Sequence, residues 1–212
     1  MNKQAAADKV LGKENTAFLA QKLKDGAVVG IPTDTVYGVA ALMSNLKAVD
    51  RIYRIKNRPR NKPLIIFVSD PHQVDEFVEE MPPFGIELME AFWPGPLTLI
   101  FPAADTVSRE ITAGLNTVGV RIPDCKIVMD ILKLVKEPLC VTSANLSGKK
   151  DPVTAEEVMA ELGDSLDYVL DGGVTHHKLV STIVDVTGAR PKIIRQGALK
   201  KSKLENVVMD IE

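Results

Sequence analysis

The chain has 212 residues, 45% of them hydrophobic and 25% charged, which is the make-up of a globular protein and excludes a disordered or fibrous one. Its formal net charge of −2 lacks the basic surplus of a general nucleic-acid coat, so any polyanion site must be local, built by a few placed cations. No apolar run approaches the roughly 20 residues of a membrane span, and Met1 to Thr16 carries no apolar core of the kind a signal peptide needs.

Apolar runs alternate with amphipathic segments, the pattern of an α/β domain. Ala27 to Ile31, ended by Pro32, reads as a buried strand. Ser44 to Lys56 carries Leu46, Val49, Ile52 and Tyr53 at helical spacing behind a Ser/Asn start, so a helix is expected. Pro63 to Ser69 is a second strand, after which Asp70-Pro71-His72-Gln73 opens a helix with Asp70 as its cap. Further strands are expected at Leu97–Phe101, Thr117–Ile122, Leu139–Ser143, Tyr168–Leu170, Ser181–Val186 and Lys192–Arg195. Helices are expected over Asp124 to Lys136 and after Thr154, where Thr154 and Glu157 form a capping box. The last two strands flank the turn-like Thr187-Gly188-Ala189-Arg190 and read as an antiparallel hairpin, which makes the sheet mixed.

No repeat or linker divides the chain. One domain is expected over residues 15–200, with residues 1–14 as an N-terminal extension and 201–212 as a C-terminal tail. At this length folding buries roughly 70% of the unfolded surface, so no disulfide or structural metal is needed. Cys125 and Cys140 match no metal-ligand spacing and read as free thiols of a reducing compartment, the cytosol.

Hydroxyl, amide and cationic residues recur at the ends of the expected strands, where the binding loops of α/β folds gather. Pro32-Thr33-Asp34-Thr35-Val36-Tyr37-Gly38 offers stiff hydroxyls to a small polar ligand, or forms a capped turn. Lys56-Asn57-Arg58-Pro59-Arg60-Asn61-Lys62-Pro63 puts four cations in a segment whose prolines keep it from continuing as helix. It suits a triphosphate, the alternative being a solvated basic loop. Arg121, inside an apolar strand, needs a partner: a ligand carboxylate or phosphate, or an internal Asp or Glu. Val141 to Gly148 runs from a strand into small polar residues able to face phosphates, or simply turns. Ser181 opens one hairpin strand and Arg195 closes the other, which brings them near each other, unless they only cap a strand and sit on the surface.

Other residues are set aside. His72 is expected to be exposed, and the adjacent His176 and His177 have no Cys/His/Asp cluster to complete a metal site. Trp93-Pro94-Gly95-Pro96 reads as a rigid corner. The chain lacks a Gly-rich lysine loop, a dinucleotide fingerprint and a nucleophile elbow.

Taken in order, Gly30 to Gly38, Lys56-x-Arg58 with Lys62-Pro63-Leu64, Trp93 to Thr98, Val120 to Pro123, Ser143-Ala144-Asn145-x-Ser147-Gly148, Ser181 to Asp185 and Ile194-Arg195-x-Gly197 resemble the YrdC-type threonylcarbamoyl-AMP synthases. The likeness runs over about residues 15–200, in the short, single-domain form of the family. It implies a single α/β domain with a twisted mixed parallel/antiparallel sheet, flanked by helices, around a deep electropositive cavity. It implies Thr35, Arg121 and Ser181 on L-threonine, with Phe67 and Val141 lining that pocket. It implies Arg58, Lys62, Thr117, Ser143, Asn145, Asp151 and Arg195 around ATP, and Lys56 and Arg58 as catalytic residues.

By the same resemblance, bicarbonate or CO2 turns the threonine amine into a carbamate that attacks the α-phosphorus of ATP. Mg2+ then arrives on the nucleotide without a dedicated protein site, although Asp34 and Asp185 are candidate ligands. The product passes to threonylcarbamoyl-transferase proteins and so to tRNA, in the cytoplasm and without a membrane. Two other readings share these residues: a carbamoyl-adenylate-forming relative, and a non-catalytic RNA- or nucleotide-binding module.

Overall fold

The structure, a computed structural model, describes residues 9–212. Residues 1–8, the larger part of the expected extension, lie outside the described residues. Ten strands form one mixed sheet in the order β1-β8-β2-β3-β7-β4-β6-β5-β9-β10. They are β1 (Val10–Gly12), β2 (Val29–Ile31), β3 (Gly38–Leu42), β4 (Ile65–Phe67), β5 (Leu97–Pro102), β6 (Thr117–Arg121), β7 (Leu139–Ser143), β8 (Tyr168–Asp171), β9 (Thr182–Asp185) and β10 (Lys192–Arg195). β1, β2 and β8 run parallel, as do β4 with β6 and β5 with β9; the other pairs are antiparallel, the β9–β10 hairpin among them.

The helices are α1 (Thr16–Lys24), α2 (Leu46–Ile55), α3 (Pro83–Phe92), α4 (Arg109–Thr112), α5 (Lys126–Val135), α6 (Ala155–Leu162) and α7 (Lys201–Leu204). α2 starts where Asn45 accepts a hydrogen bond from the Ala48 N–H at 3.1 Å, a cap worth about 1 kcal/mol. Its buried stripe of Ala48, Val49, Ile52 and Tyr53 follows the helical period. The helix expected after Asp70 is a short 3-10 turn, Pro71–Glu76, though its capping box is complete. At α6 only half of the expected box forms: Thr154 accepts from the Glu157 N–H at 3.2 Å, while the Glu157 carboxylate turns to the Val153 N–H at 2.6 Å.

What positions the cavity is unequal cover on the two sheet faces. One face packs a large core against α2, α3 and α6, with Val39, Ala41, Ile66, Leu99, Val118, Val120 and Cys140 pointing into it. The other face carries a smaller core, where Leu19, Leu23, Val128, Ile131 and Leu132 of α1 and α5 cover β2, β3, β7, β8 and the end of β4. That second core takes no residue from β5, β6 or β9, and this half of the face lies open as a cavity.

Residues 10–12 and the segment after residue 200 are tied into the sheet and the core. β1, inside the expected extension, pairs with β8. In the expected tail, Leu204, Val208 and Ile211 are buried in the main core. The last residue also hydrogen-bonds the open edge of β10: Ile193 N–H donates to Glu212 O at 2.7 Å and Glu212 N–H to Pro191 O at 2.9 Å. The helix ends at Leu204, so turns rather than a continued helix carry Val208 and Ile211 into the core. Leu204→Ala is therefore expected to cost about 2–5 kcal/mol, measured from the urea-unfolding midpoint, where a solvated tail would show almost none.

Candidate active site

The open half-face is built by strand alternation. On β6, Val118 and Val120 enter the core while Thr117, Gly119 and Arg121 face the cavity. On β5, Leu97, Leu99 and Phe101 point into the core, and Thr98 and Ile100 out of it. Ile65 and Phe67 of β4 and Val141 and Ser143 of β7 complete the floor of a cavity of about 660 Å³. Pairing of Ile65 with Gly119 and with Val141 holds these strands in register.

Arg121 is the deepest charge, its side chain only 3% exposed. Its Nη2 donates to Asp34 Oδ1 at 2.5 Å, Nη1 to Thr35 Oγ1 at 3.0 Å and Nε to the Gly95 carbonyl at 2.9 Å. Of the two partners left open by the sequence, the internal carboxylate is therefore present. A guanidinium has five donors, of which these bonds use three. Burial lowers the Arg121 pKa against the pull of Asp34, yet arginine stays charged at any ordinary pH. The Phe67 ring lies 5.5 Å from the guanidinium carbon, within range for a cation–π contact. Thr33 bridges to Thr35 at 2.9 Å, and Ser181 to Thr98 at the same distance, so two hydroxyl pairs flank the arginine.

Arg195 reaches the cavity through a bulge. The ladder pairs Ile193 with Val184, then Arg195 with Ile183, skipping Ile194. In an unbroken ladder Arg195 would fall opposite Thr182, on the core side; the extra residue flips it onto the cavity side. There it is held by the Ser181 carbonyl, at 3.1 Å from Nε and 2.9 Å from Nη2, and by Ser181 Oγ at 3.1 Å.

Arg58 is fixed in a similar way, Nε to Lys62 O at 3.1 Å and Nη2 to Pro63 O at 2.7 Å. Among the described residues, neither Arg58, Lys62 nor Arg195 is paired with a carboxylate within 4.0 Å. Burial lowers the Arg195 pKa; Asp151 pulls against it, and the positive charges of Arg121 and Arg58 add to the lowering. The cavity thus carries cations held in place by neutral carbonyls, a preorganised receptor for anions.

Thr35, Phe67, Arg121, Val141, Ser181, Arg58, Lys62, Thr117, Ser143 and Arg195 all line this one cavity. Lys56, Asn145 and Asp151 do not. Lys56, expected as a catalytic residue, is buried in the wall: its Nζ donates to the carbonyls of Ser143 and Asn145 and to Asn145 Oδ1 at 3.3 Å. Asn145 is occupied as well, accepting from Ser143 Oγ at 2.6 Å and donating to Lys149 O at 2.7 Å. The end of β7 brings the Ser143 and Asn145 carbonyls within reach of the Lys56 ammonium, and with the Asn145 side-chain oxygen they substitute for water. Arg60 turns away to Asp50 at 2.5 Å and stacks on Tyr53.

Of the candidate metal ligands, Asp34 serves Arg121 and Asp185 caps its own turn through the Thr187 N–H and hydroxyl. Among the described residues no three His, Cys, Asp or Glu side chains gather as a metal site. Thr98 received no role from the sequence; its signal was a hydroxyl set between the large apolar Leu97, Leu99 and Phe101.

An α/β sheet with an arginine-lined hollow on one half-face has the geometry of a receptor for small anions. The family model for Sua5/YciO/YrdC, described as "Telomere recombination", matches residues 21–197, and the chain belongs to that family. It is 38% identical over 189 residues to a threonylcarbamoyl-AMP synthase of Pyrococcus abyssi, covering 89% of this chain and 56% of that protein. The chain thus spans little more than half the length of that relative. A threonylcarbamoyl-AMP synthase of Vibrio parahaemolyticus is 33% identical and is covered over 100% of its length. The crystal structure of P. abyssi Sua5 complexed with L-threonine superposes with a TM-score of 0.92 at 34% identity, over 96% of this chain and 62% of that one.

Burial, with Arg58 nearby, pushes the Lys56 pKa down to about 8 against the pull of Asp151 and Glu161. Between that value and its ordinary 10.5 the unfolded chain holds the extra proton, so this group makes stability rise with pH across the window. Urea unfolding of Lys56→Met is expected to lack that rise between pH 8 and about 10.5. The variant is also expected to be weaker by about 1–3 kcal/mol at pH 7, because carbonyls in the wall lose their donor.

Proposed function

We propose that the chain is an L-threonylcarbamoyladenylate synthase, a nucleotidyltransferase that condenses L-threonine, bicarbonate or CO2, and ATP to threonylcarbamoyl-AMP and pyrophosphate. The observation that carries this reading is one cavity with two kinds of cation. Arg58 and Arg195 lack a carboxylate, as suits a polyphosphate, while Arg121 sits among hydroxyls as suits an amino acid. The threonine-bound Sua5 relative and the full-length cover of the Vibrio synthase support it.

In this reading the two free donors of Arg121 take the threonine carboxylate, with Thr35 and Ser181 on its polar groups and Phe67 and Val141 against its apolar side. Arg58, Lys62, Arg195, Thr117 and Ser143 surround the nucleotide. Lys56 and Asn145 act from behind, holding the Ser143 loop. The threonine amine, carboxylated by bicarbonate or CO2, supplies the nucleophile as a carbamate. Its oxygen bonds the α-phosphorus as the bond to pyrophosphate breaks, so no side-chain nucleophile is called for. The protein aligns two anions and offsets their repulsion, which is catalysis by positioning and electrostatics. Mg2+ enters on the nucleotide. The product is a mixed anhydride, consumed by a transferase that moves the threonylcarbamoyl group to tRNA in N6-threonylcarbamoyladenosine formation. Among the described residues no helix is long and apolar enough to cross a membrane, in keeping with a cytoplasmic site for that work.

The test is pyrophosphate release from ATP and bicarbonate with threonine, serine or no amino acid. Release that depends on threonine is expected; release indifferent to the amino acid, or none, refutes the proposal. Arg121→Ala is expected to weaken threonine binding by about 2–4 kcal/mol and to leave ATP affinity near wild type, read by calorimetry. An equal loss for both ligands contradicts the division of roles.

A further inference from the structure

Gly119 stands at the middle of β6 with both neighbours, Val118 and Val120, packed in the core. Glycine in a strand interior is costly, because it loses the most backbone freedom and contributes no side chain. Two ordinary reasons for keeping one are absent. Its backbone does not lie in the left-handed region, unlike Gly26, Gly114, Gly148 and Gly173. Nor does packing forbid a side chain: an added Cβ meets only Thr98 Cγ2 at 3.6 Å and Ile65 Cγ1 at 3.8 Å, ordinary contacts. Gly38, also on the cavity, differs: a Cβ there would strike Val141 Cγ1 at 2.7 Å.

What remains is the cavity. Register sets Val141, Ile65, Gly119 and Ile100 in one row across the floor, all apolar, with the glycine as its single gap. Arg121 stands two residues further along the strand and Thr117 two residues back. At about 3.3 Å per residue, each lies roughly 7 Å from Gly119. The amino-acid and nucleotide anchors of the proposed reaction therefore flank this gap.

We propose that Gly119 is the position over which the two substrates meet: its missing side chain is the room in which the carbamate oxygen approaches the α-phosphorus. This rests on the proposed synthase activity. Each substrate has its own anchors and binds alone without using the gap. Only the joined arrangement needs it, so a side chain there acts on turnover rather than on either separate affinity.

The experiment compares Gly119→Ala and Gly119→Val with wild type in thermal melting, calorimetry of L-threonine alone and of ATP alone, and threonine-dependent pyrophosphate release. Melting at or above the wild-type temperature is expected, with each separate affinity of the alanine variant within about threefold of wild type. Release is expected to fall about 10-fold for alanine and about 100-fold for valine. Valine turnover within about threefold of wild type overturns the assignment of Gly119 and leaves the synthase reading standing. An alanine variant that unfolds, or that loses threonine binding on its own, overturns it too, by showing a structural or single-ligand role. A wild-type chain without threonine-dependent release overturns both.

Discussion

The buried guanidinium of Arg121 is the constraint to which the site answers. An unpaired charge at that depth costs several kcal/mol, so the surrounding segments are arranged to hold it: Asp34 and Thr35 from the loop after β2, and the Gly95 carbonyl from the corner before β5. Two segments, Asp34-Thr35 and Gly95, thus converge on one side chain, and the loop after β2 is tied to the centre of the sheet. Asp34 keeps one oxygen without a protein partner, so the centre is held tightly but not completely neutralised by hydrogen bonds.

Around it the fold spends its cations differently. Arg51, Arg54 and Arg60 are matched to Asp167 and Asp50 on the outside, where such pairs contribute little. Arg58 and Arg195 are matched to carbonyls only, which fixes their direction without removing their charge. Lys56 completes the pattern from within the wall, where its ammonium gathers the Ser143 and Asn145 carbonyls and so shapes the loop that faces the cavity.

Much of this was legible. Strand-end polar residues, the isolated Arg121 and the hairpin at residues 182–195 all followed from period and residue type. β3 did not: Gly38-Val39-Ala40-Ala41-Leu42 is buried on both faces, so it shows no alternation, and alanine is a weak strand signal. The family membership and the mixed α/β fold followed from the residue pattern, whereas the direction of individual side chains did not. Arg195 depends on a bulge that flips a register, and Lys56 on carbonyls 87 and 89 residues on, neither of which leaves a trace in local sequence.

The half-covered second face has a thermodynamic consequence. Elsewhere the sheet is sandwiched between helices; over β5, β6 and β9 nothing among the described residues supplies the second slice of that sandwich. Small molecules that settle there stand in for an absent layer, screening mutually repelling guanidiniums and drying apolar strand surface. Occupancy and folding are then linked by mass action, the folded population growing with free ligand. With such a ligand held there, the occupied form is the more stable of the two, and the missing layer is supplied by the occupant.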